Sequence, residues 1–211
     1  MKALSRTVYI VTAEVEPEWE ADFNRWYDEE HVPNLLMVPG YRSGTRYVAV
    51  DGEPKYMAFW EIDSMEAYLG KEHDVAVNTP WTERGASHRT IQMAFYEQIF
   101  PEQGLLKGAS WGEKVGGLLI NRIDVTPEGE QDFNDWYNQE HQPALCAVPG
   151  AIAARRFRAT QGEPKYMAMV YLTDPGIQAT EAWQRAANTP WTARSRQSYR
   201  NRWRVVYRPY P

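Results

Sequence analysis

The chain has 211 residues and a single cysteine, Cys146. No disulfide can form within it, and no cysteine-rich metal site exists. It has no long run of lysine or arginine, and its formal net charge is −5. Nucleic acid and anionic membrane surfaces are therefore poor partners. The basic residues gathered over 194–208 interleave with Trp203, Val205 and Val206, as on a solvated strand face. No apolar run approaches the ~20 residues that span a bilayer, and residues 1–9 hold no secretory apolar segment. A cytoplasmic location is the expectation. Also absent are the H-x-x-H, H-E-x-x-H and D-x-D metal spacings, the G-x-G-x-x-G and P-loop phosphate cradles, and the G-x-S-x-G nucleophile turn. These patterns give no reason to expect a metal or a cofactor.

Aromatics, in contrast, are plentiful, with 9 Trp and 13 Tyr. Some of them must be core, and the excess suits the wall of an aromatic ligand pocket.

The sequence aligns with itself, without a gap, at an offset of 110 positions. E-P-E-W-E-A-D-F-N-R-W-Y-D-E-E-H-V-P over 16–33 meets T-P-E-G-E-Q-D-F-N-D-W-Y-N-Q-E-H-Q-P over 126–143. G-E-P-K-Y-M recurs at 52–57 and 162–167, and N-T-P-W-T at 78–82 and 188–192. Identity is uneven: 23 of 42 positions match over 16–57, and only 8 of 41 over 58–98, five of them N-T-P-W-T. A helix and two short strings are held while the rest drifts.

Each copy reads as βαββαβ, the split βαβ pattern. In the first copy, strands are expected over 7–15, 41–50, 54–62 and 89–99, with Asp51-Gly52 as a hairpin turn. The second copy opens with a strand over 114–125. The first helix begins at Pro17 and Pro127, with Thr126 as a cap, and ends at Pro39-Gly40 and Pro149-Gly150. A second helix is expected over 64–77. The boundaries are 1–100 and 113–211, joined by 101–112. Such a unit leaves one sheet face bare, and two units can cover each other sheet to sheet.

On the first helix, the positions that differ between copies (Ala21, Arg25, Asp28, Glu29) share one face. The unchanged positions share the other: Phe23, Trp26, Tyr27, Glu30 and His31, with Phe133, Trp136, Tyr137, Glu140 and His141. That inward face carries a carboxylate and an imidazole. A buried carboxylate must be paired, neutral or open to a wet cavity. Imidazole titrates near neutrality and can act as acid or base. Tyr27, Glu30 and His31, with Tyr137, Glu140 and His141, are thus candidate catalytic residues. Structural roles compete with this: Glu30 could bond Lys55, Arg46 or a backbone amide, and His31 could finish the helix.

The remaining candidates concern binding. In G-E-P-K-Y-M, Lys55 and Tyr56 alternate across a strand, so one of them faces the helices; Tyr166 repeats Tyr56. In N-T-P-W-T-x-x-R, Asn78 or Thr79 caps a turn, Trp81 and Trp191 can close a cavity, and Arg84 and Arg194 can hold an anion. Arg46 is another anion anchor, and Trp26 and Trp136 are candidate contacts. His73 and His88, present in the first copy only, read as isolated surface histidines.

The string W-Y-D-E-E-H-V-P-N-L-L-M-V-P-G-Y, closing a helix and leading into a strand, resembles the EthD-like members of the dimeric α/β barrel superfamily. The resemblance covers essentially the whole chain, one unit per copy. It implies an α+β fold of two ferredoxin-like repeats packed as an intrachain pseudo-dimer, a further homodimer being possible, with a ligand cleft between sheet and helices in each. It also implies that His31 and His141 are the candidate catalysts. The leading expectation is a cofactor-independent lyase or isomerase acting on a hydrophobic aromatic or polyketide-like substrate. A haem enzyme of the same superfamily and a non-catalytic binding protein are the alternatives. Tyr41, Arg42 and Tyr47 become Ala151, Ile152 and Phe157, so equal activity of two clefts is not expected.

Overall fold

The computed structural model describes residues 4–211; the first three residues of the 1–100 half lie outside the described residues. The strands are β1 (Thr7–Val15), β2 (Tyr41–Asp51), β3 (Tyr56–Ile62), β4 (Arg89–Phe100), β5 (Leu106–Lys107), β6 (Gly117–Val125), β7 (Ala151–Gln161), β8 (Tyr166–Leu172) and β9 (Tyr199–Pro209). They form one sheet in the order β4-β1-β3-β2-β9-β6-β8-β7-β5, and β4 also pairs with β7. That last pairing closes an eight-stranded antiparallel barrel, with β5 added outside on β7.

Alternation along each strand fills two layers. In β1, Val8 and Ile10 enter the barrel core with Tyr47, Phe59, Tyr96, Leu118, Phe157 and Tyr207. Tyr9, Val11 and Ala13 point outward, to a second core under the helices. The halves meet by more than the stacked faces expected from sequence. Their edges pair directly, with Val48 opposite Arg208 and Gln98 opposite Phe157, because a closed barrel leaves no edge group unsatisfied. A buried ion pair also ties them: Arg155 of β7 reaches Glu61 of β3 at 2.6 Å, with Gln98 at 2.6 Å and the Ser5 carbonyl as further acceptors.

The helices lie outside the barrel. They are α1 (Glu20–Trp26), α2 (Val32–Met37), α3 (Met65–Leu69), α4 (Lys71–Val77), α5 (Pro80–Gly85), α6 (Glu130–Trp136), α7 (Gln142–Cys146), α8 (Glu181–Ala187) and α9 (Pro190–Ser195). Among the described residues, no helix is long and apolar enough to cross a membrane.

Several local expectations are corrected. The helix expected over 64–77 is broken at Gly70, which is extended (φ −77°, ψ 155°). Its counterpart is a 3-10 turn, Pro175–Ala179, followed by α8. The Thr126 side chain accepts no capping bond; its carbonyl takes the N–H of Gly129 instead. Gly52 (φ +91°) makes the hairpin turn, but a cis Glu53–Pro54 bond follows and β3 begins only at Tyr56. Proline has no N–H for the ladder.

Candidate functional site

The W-Y-x-x-E-H string does not continue α1 as an ordinary helix. Tyr27–His31 and Tyr137–His141 are π-turns, with the Val32 N–H bonded to the Tyr27 carbonyl. Pro33 and Pro143 come two residues after His31 and His141; a proline lacks the N–H and crowds the carbonyl four residues back, and a widened turn relieves both. The widening brings residues five apart into register. His31 stacks on Trp26 at 4.2 Å and His141 on Trp136 at 4.2 Å. Tyr27 and Tyr137 meet these imidazoles edge-on, at 5.0 and 5.1 Å.

His141 is buried and His31 half-buried, and Nδ1 of each is sealed from water without a hydrogen-bond partner. Burial, aided by Arg89, His73 and Arg46, pulls His31 down to about 3; burial and Arg196, Arg156 and Arg202 do the same to His141. Both are therefore neutral at pH 7. Tyr27 is pushed up to about 12 by burial.

Glu30 accepts a hydrogen bond from the Thr79 hydroxyl at 2.5 Å, and Glu140 from Thr189 at 2.6 Å. The same hydroxyls cap α5 and α9 by accepting the N–H of Thr82 and Thr192. Each carboxylate thus joins the first helix to the N-T-P-W-T turn. Trp81 and Arg84 both bind Asp22, at 3.0 and 2.9 Å, and Trp191 and Arg194 bind Asp132 at 3.0 and 2.7 Å. In the first half the Trp26 indole also reaches Thr82 at 3.2 Å. Asn78 ends α4, so the cap is Thr79.

G-E-P-K-Y-M completes the clasp. Lys55 pairs with Glu20 and Lys165 with Glu130, while the Tyr56 and Tyr166 hydroxyls accept from Asn24 and Asn134 at 3.1 Å. Arg46 and Arg156 lie 4.5 and 4.4 Å over Tyr27 and Tyr137. Arg46 pairs with Asp28 at 2.7 Å, and Arg156 bonds Asn138 at 2.6 Å. Arg46, Arg84 and Arg194 therefore already hold carboxylates of their own chain.

The polar group that distinguishes the halves lies elsewhere, beneath α3 and α4. The Tyr9 hydroxyl is 3.0 Å from that of Tyr41, which is 2.7 Å from Nδ1 of His73. Trp60, Tyr68 and Phe95 surround this chain. Burial raises Tyr41 to about 12, raises Tyr9 further, and lowers His73. The equivalent positions in the second half are Leu119, Ala151 and Trp183, an apolar plug. Sequence reasoning placed His73 on the surface; it is 7% exposed. The available signal was the set of polar residues found in one copy only.

Among five clefts on the described surface, none is lined by His31, Glu30 or their counterparts, nor by Tyr9, Tyr41 or His73. One cleft of about 500 Å³ runs between α2 and α4, past Met37, Val38, Glu72, Val75 and Ala76, directly outside the helix that carries His73. Its rim is apolar and exposed, with Met37 at 83% and Val75 at 78%. The second half has Ala147 and Arg185 there. No group of three or more His, Cys, Asp or Glu among the described residues could hold a metal ion.

The barrel and its outer helices recur in other solved structures. The chain is similar in structure to an anthrone oxidase-like protein (TM-score 0.68, 17% identity, 100% of this chain and 92% of that one). It is similar also to a candidate monooxygenase from Lactobacillus acidophilus NCFM (TM-score 0.59, 9% identity, 96% and 93%). A mutant chlorite dismutase from Candidatus Nitrospira defluvii, in complex with cyanide, is a third (TM-score 0.67, 10% identity, 97% and 90%). The fold shared with these neighbours is the dimeric α/β barrel. No family model and no curated protein matches the sequence.

Proposed function

We propose that the chain is a cofactor-independent acid–base enzyme for a hydrophobic aromatic or polyketide-like molecule, and that only its first half reacts. We read the halves as ferredoxin-like repeats of the EthD-like kind, one kept for chemistry and one for support.

The Tyr9–Tyr41–His73 chain carries this reading. Burying three polar groups costs free energy unless every bond is satisfied. The second half builds the same architecture with Leu119, Ala151 and Trp183, so folding does not require the polar set. Such a set is kept for proton handling. His73 would take a proton from an acidic C–H or O–H and return it at another atom, with Tyr41 fixing the imidazole. The cleft between α2 and α4 offers Met37, Val38 and Val75 to a hydrophobic guest; His73 lies on the other side of α4, so in this reading α4 moves aside for the guest to meet it. His31, neutral at pH 7 and stacked on Trp26, is a packing group in this scheme, not the acid or base expected from sequence.

This reading places no haem on His31 or His141. His31 and His141 each have a ring face covered by indole and Nδ1 sealed in protein, and none of the five clefts reaches them.

The test is deuterium exchange at the acidic C–H of an anthrone, alongside turnover of phenolic acids and lactones. His73→Phe and Tyr41→Phe should slow exchange by about 10²–10⁴-fold while the protein stays folded. If both folded variants exchange at the wild-type rate, the proposal is wrong.

A further inference from the structure

Arg89, at the start of β4, is a half-buried cation without an anion. Its guanidinium lies 4.4 Å over Trp26, the ring on which His31 stacks. One terminal nitrogen donates to the Thr82 carbonyl at 3.2 Å, and Nε is sealed from water without a partner. Among the described residues, no carboxylate lies within ion-pair distance of it. Every other arginine tested as an anion anchor above is already engaged by Asp22, Asp28 or Asp132.

The second half again serves as the control. Its equivalent residue is Tyr199, neutral, beside Phe133 and Trp136. The framework therefore accepts an uncharged ring at this place, and a cation there is not a folding requirement. Burying an unpaired charge is costly. Room is also reserved for it: a Cβ on Gly85 would lie 3.0 Å from an Arg89 nitrogen, and the second half has Ser195 at that position.

Arg89 faces a cleft of about 280 Å³ shared with Val15, Ser87, His88 and Thr90. Behind it, Trp19, Trp26 and Trp81 line a slot of about 10 Å³, roughly one water. Trp19 is stacked on His88 at 3.8 Å. The two acidic residues of the outer cleft are occupied, Glu14 by the Lys55 N–H at 2.6 Å and Glu16 by His88 at 2.7 Å.

The geometry points to Arg89 as the residue by which the first half grips an anionic aromatic ligand, a carboxylate or phenolate on one or two fused rings. The guanidinium fork matches a carboxylate, and the His88 ring and Val15, which line the outer cleft beside it, give a planar ring a surface to rest on. This rests on the reading that the first half is the functional one, but not on His73 chemistry.

Calorimetric titration of the intact protein with 2-naphthoate tests it, with 2-naphthamide as the uncharged isostere. Wild type should bind the carboxylate at least tenfold more tightly than the amide. Arg89→Tyr, which installs the second half's own residue, should lose that preference, and Arg89→Lys should keep part of it. Without ligand, Arg89→Tyr should melt at or above the wild-type temperature, and naphthoate should raise Tm only in wild type and Arg89→Lys. Equal binding of acid and amide, no binding of either, unchanged naphthoate affinity in Arg89→Tyr, or failure of that variant to fold would each overturn the assignment. His73→Phe should bind naphthoate normally; loss of exchange there with binding intact separates the two proposals.

Discussion

The Tyr41 hydroxyl and Nδ1 of His73 share a buried hydrogen bond of 2.7 Å, and the second half has Ala151 and Trp183 in their places. Removing the Tyr41 hydroxyl strands Nδ1 of His73 and the Tyr9 hydroxyl, and removing His73 leaves Tyr41 with its Tyr9 bond alone. Tyr41→Phe and His73→Phe should therefore each cost about 1–3 kcal/mol. The double variant should cost less than the sum, with a coupling of about 0.5–3 kcal/mol. Urea unfolding of all four proteins measures this, and strict additivity would show that the pair does not act as a unit.

Stability should fall on mild acidification. His31 and His141 stand at about 3 in the fold, against about 6.5 in an unfolded chain. Below pH 6.5 the unfolded chain takes up protons that the fold refuses, so stability drops with falling pH. The drop amounts to at most about 1.4 kcal/mol per pH unit per imidazole, and it ends near pH 3. His73, also lowered, contributes in the same window. Asp22 and Asp132, held low chiefly by hydrogen bonds to Arg84 and Arg194, matter only below about pH 4. From pH 7 to pH 5 we expect a loss of about 2–4 kcal/mol, reduced in the double variant His31→Phe/His141→Phe. Unfolding midpoints that stay constant over that range would contradict the buried, neutral state.

The link between the halves should be fragile to one-sided change. Arg155 is wholly buried and Glu61 nearly so. Glu61→Ala should cost about 3–5 kcal/mol, because it leaves a guanidinium with no counter-charge. The matched replacement Arg155→Met/Glu61→Leu should cost far less. Thermal unfolding of the three variants decides this; equal losses in the single and the matched variants would refute it.

Much of the architecture was legible because it rests on periodicity and punctuation. Val8 and Ile10 alternate with Tyr9 and Val11, and Pro17, Gly40 and Pro80 sit where helices start or stop. The inward face of the first helix was legible for the same reason. The roles of its polar residues were not. Glu30 meets Thr79, and Asp22 meets Trp81 and Arg84, across long sequence separations. Nothing local to Glu30 announces a partner on another helix. The π-turn that lays His31 on Trp26 was also hidden, since spacing was read at the ordinary helical pitch.

The sequence by itself determined that the same strings recur at an offset of 110 positions and which helix face turns inward, because identity at a fixed offset and apolar spacing are properties of the string. Only the tertiary structure decided that Tyr9, Tyr41 and His73 form one buried chain, that Arg89 lacks an anion, and that Nδ1 of His31 is sealed without a partner. Hydrogen bonds and desolvation depend on which atoms meet in space, and barrel closure brings together residues from strands and helices far apart in the chain.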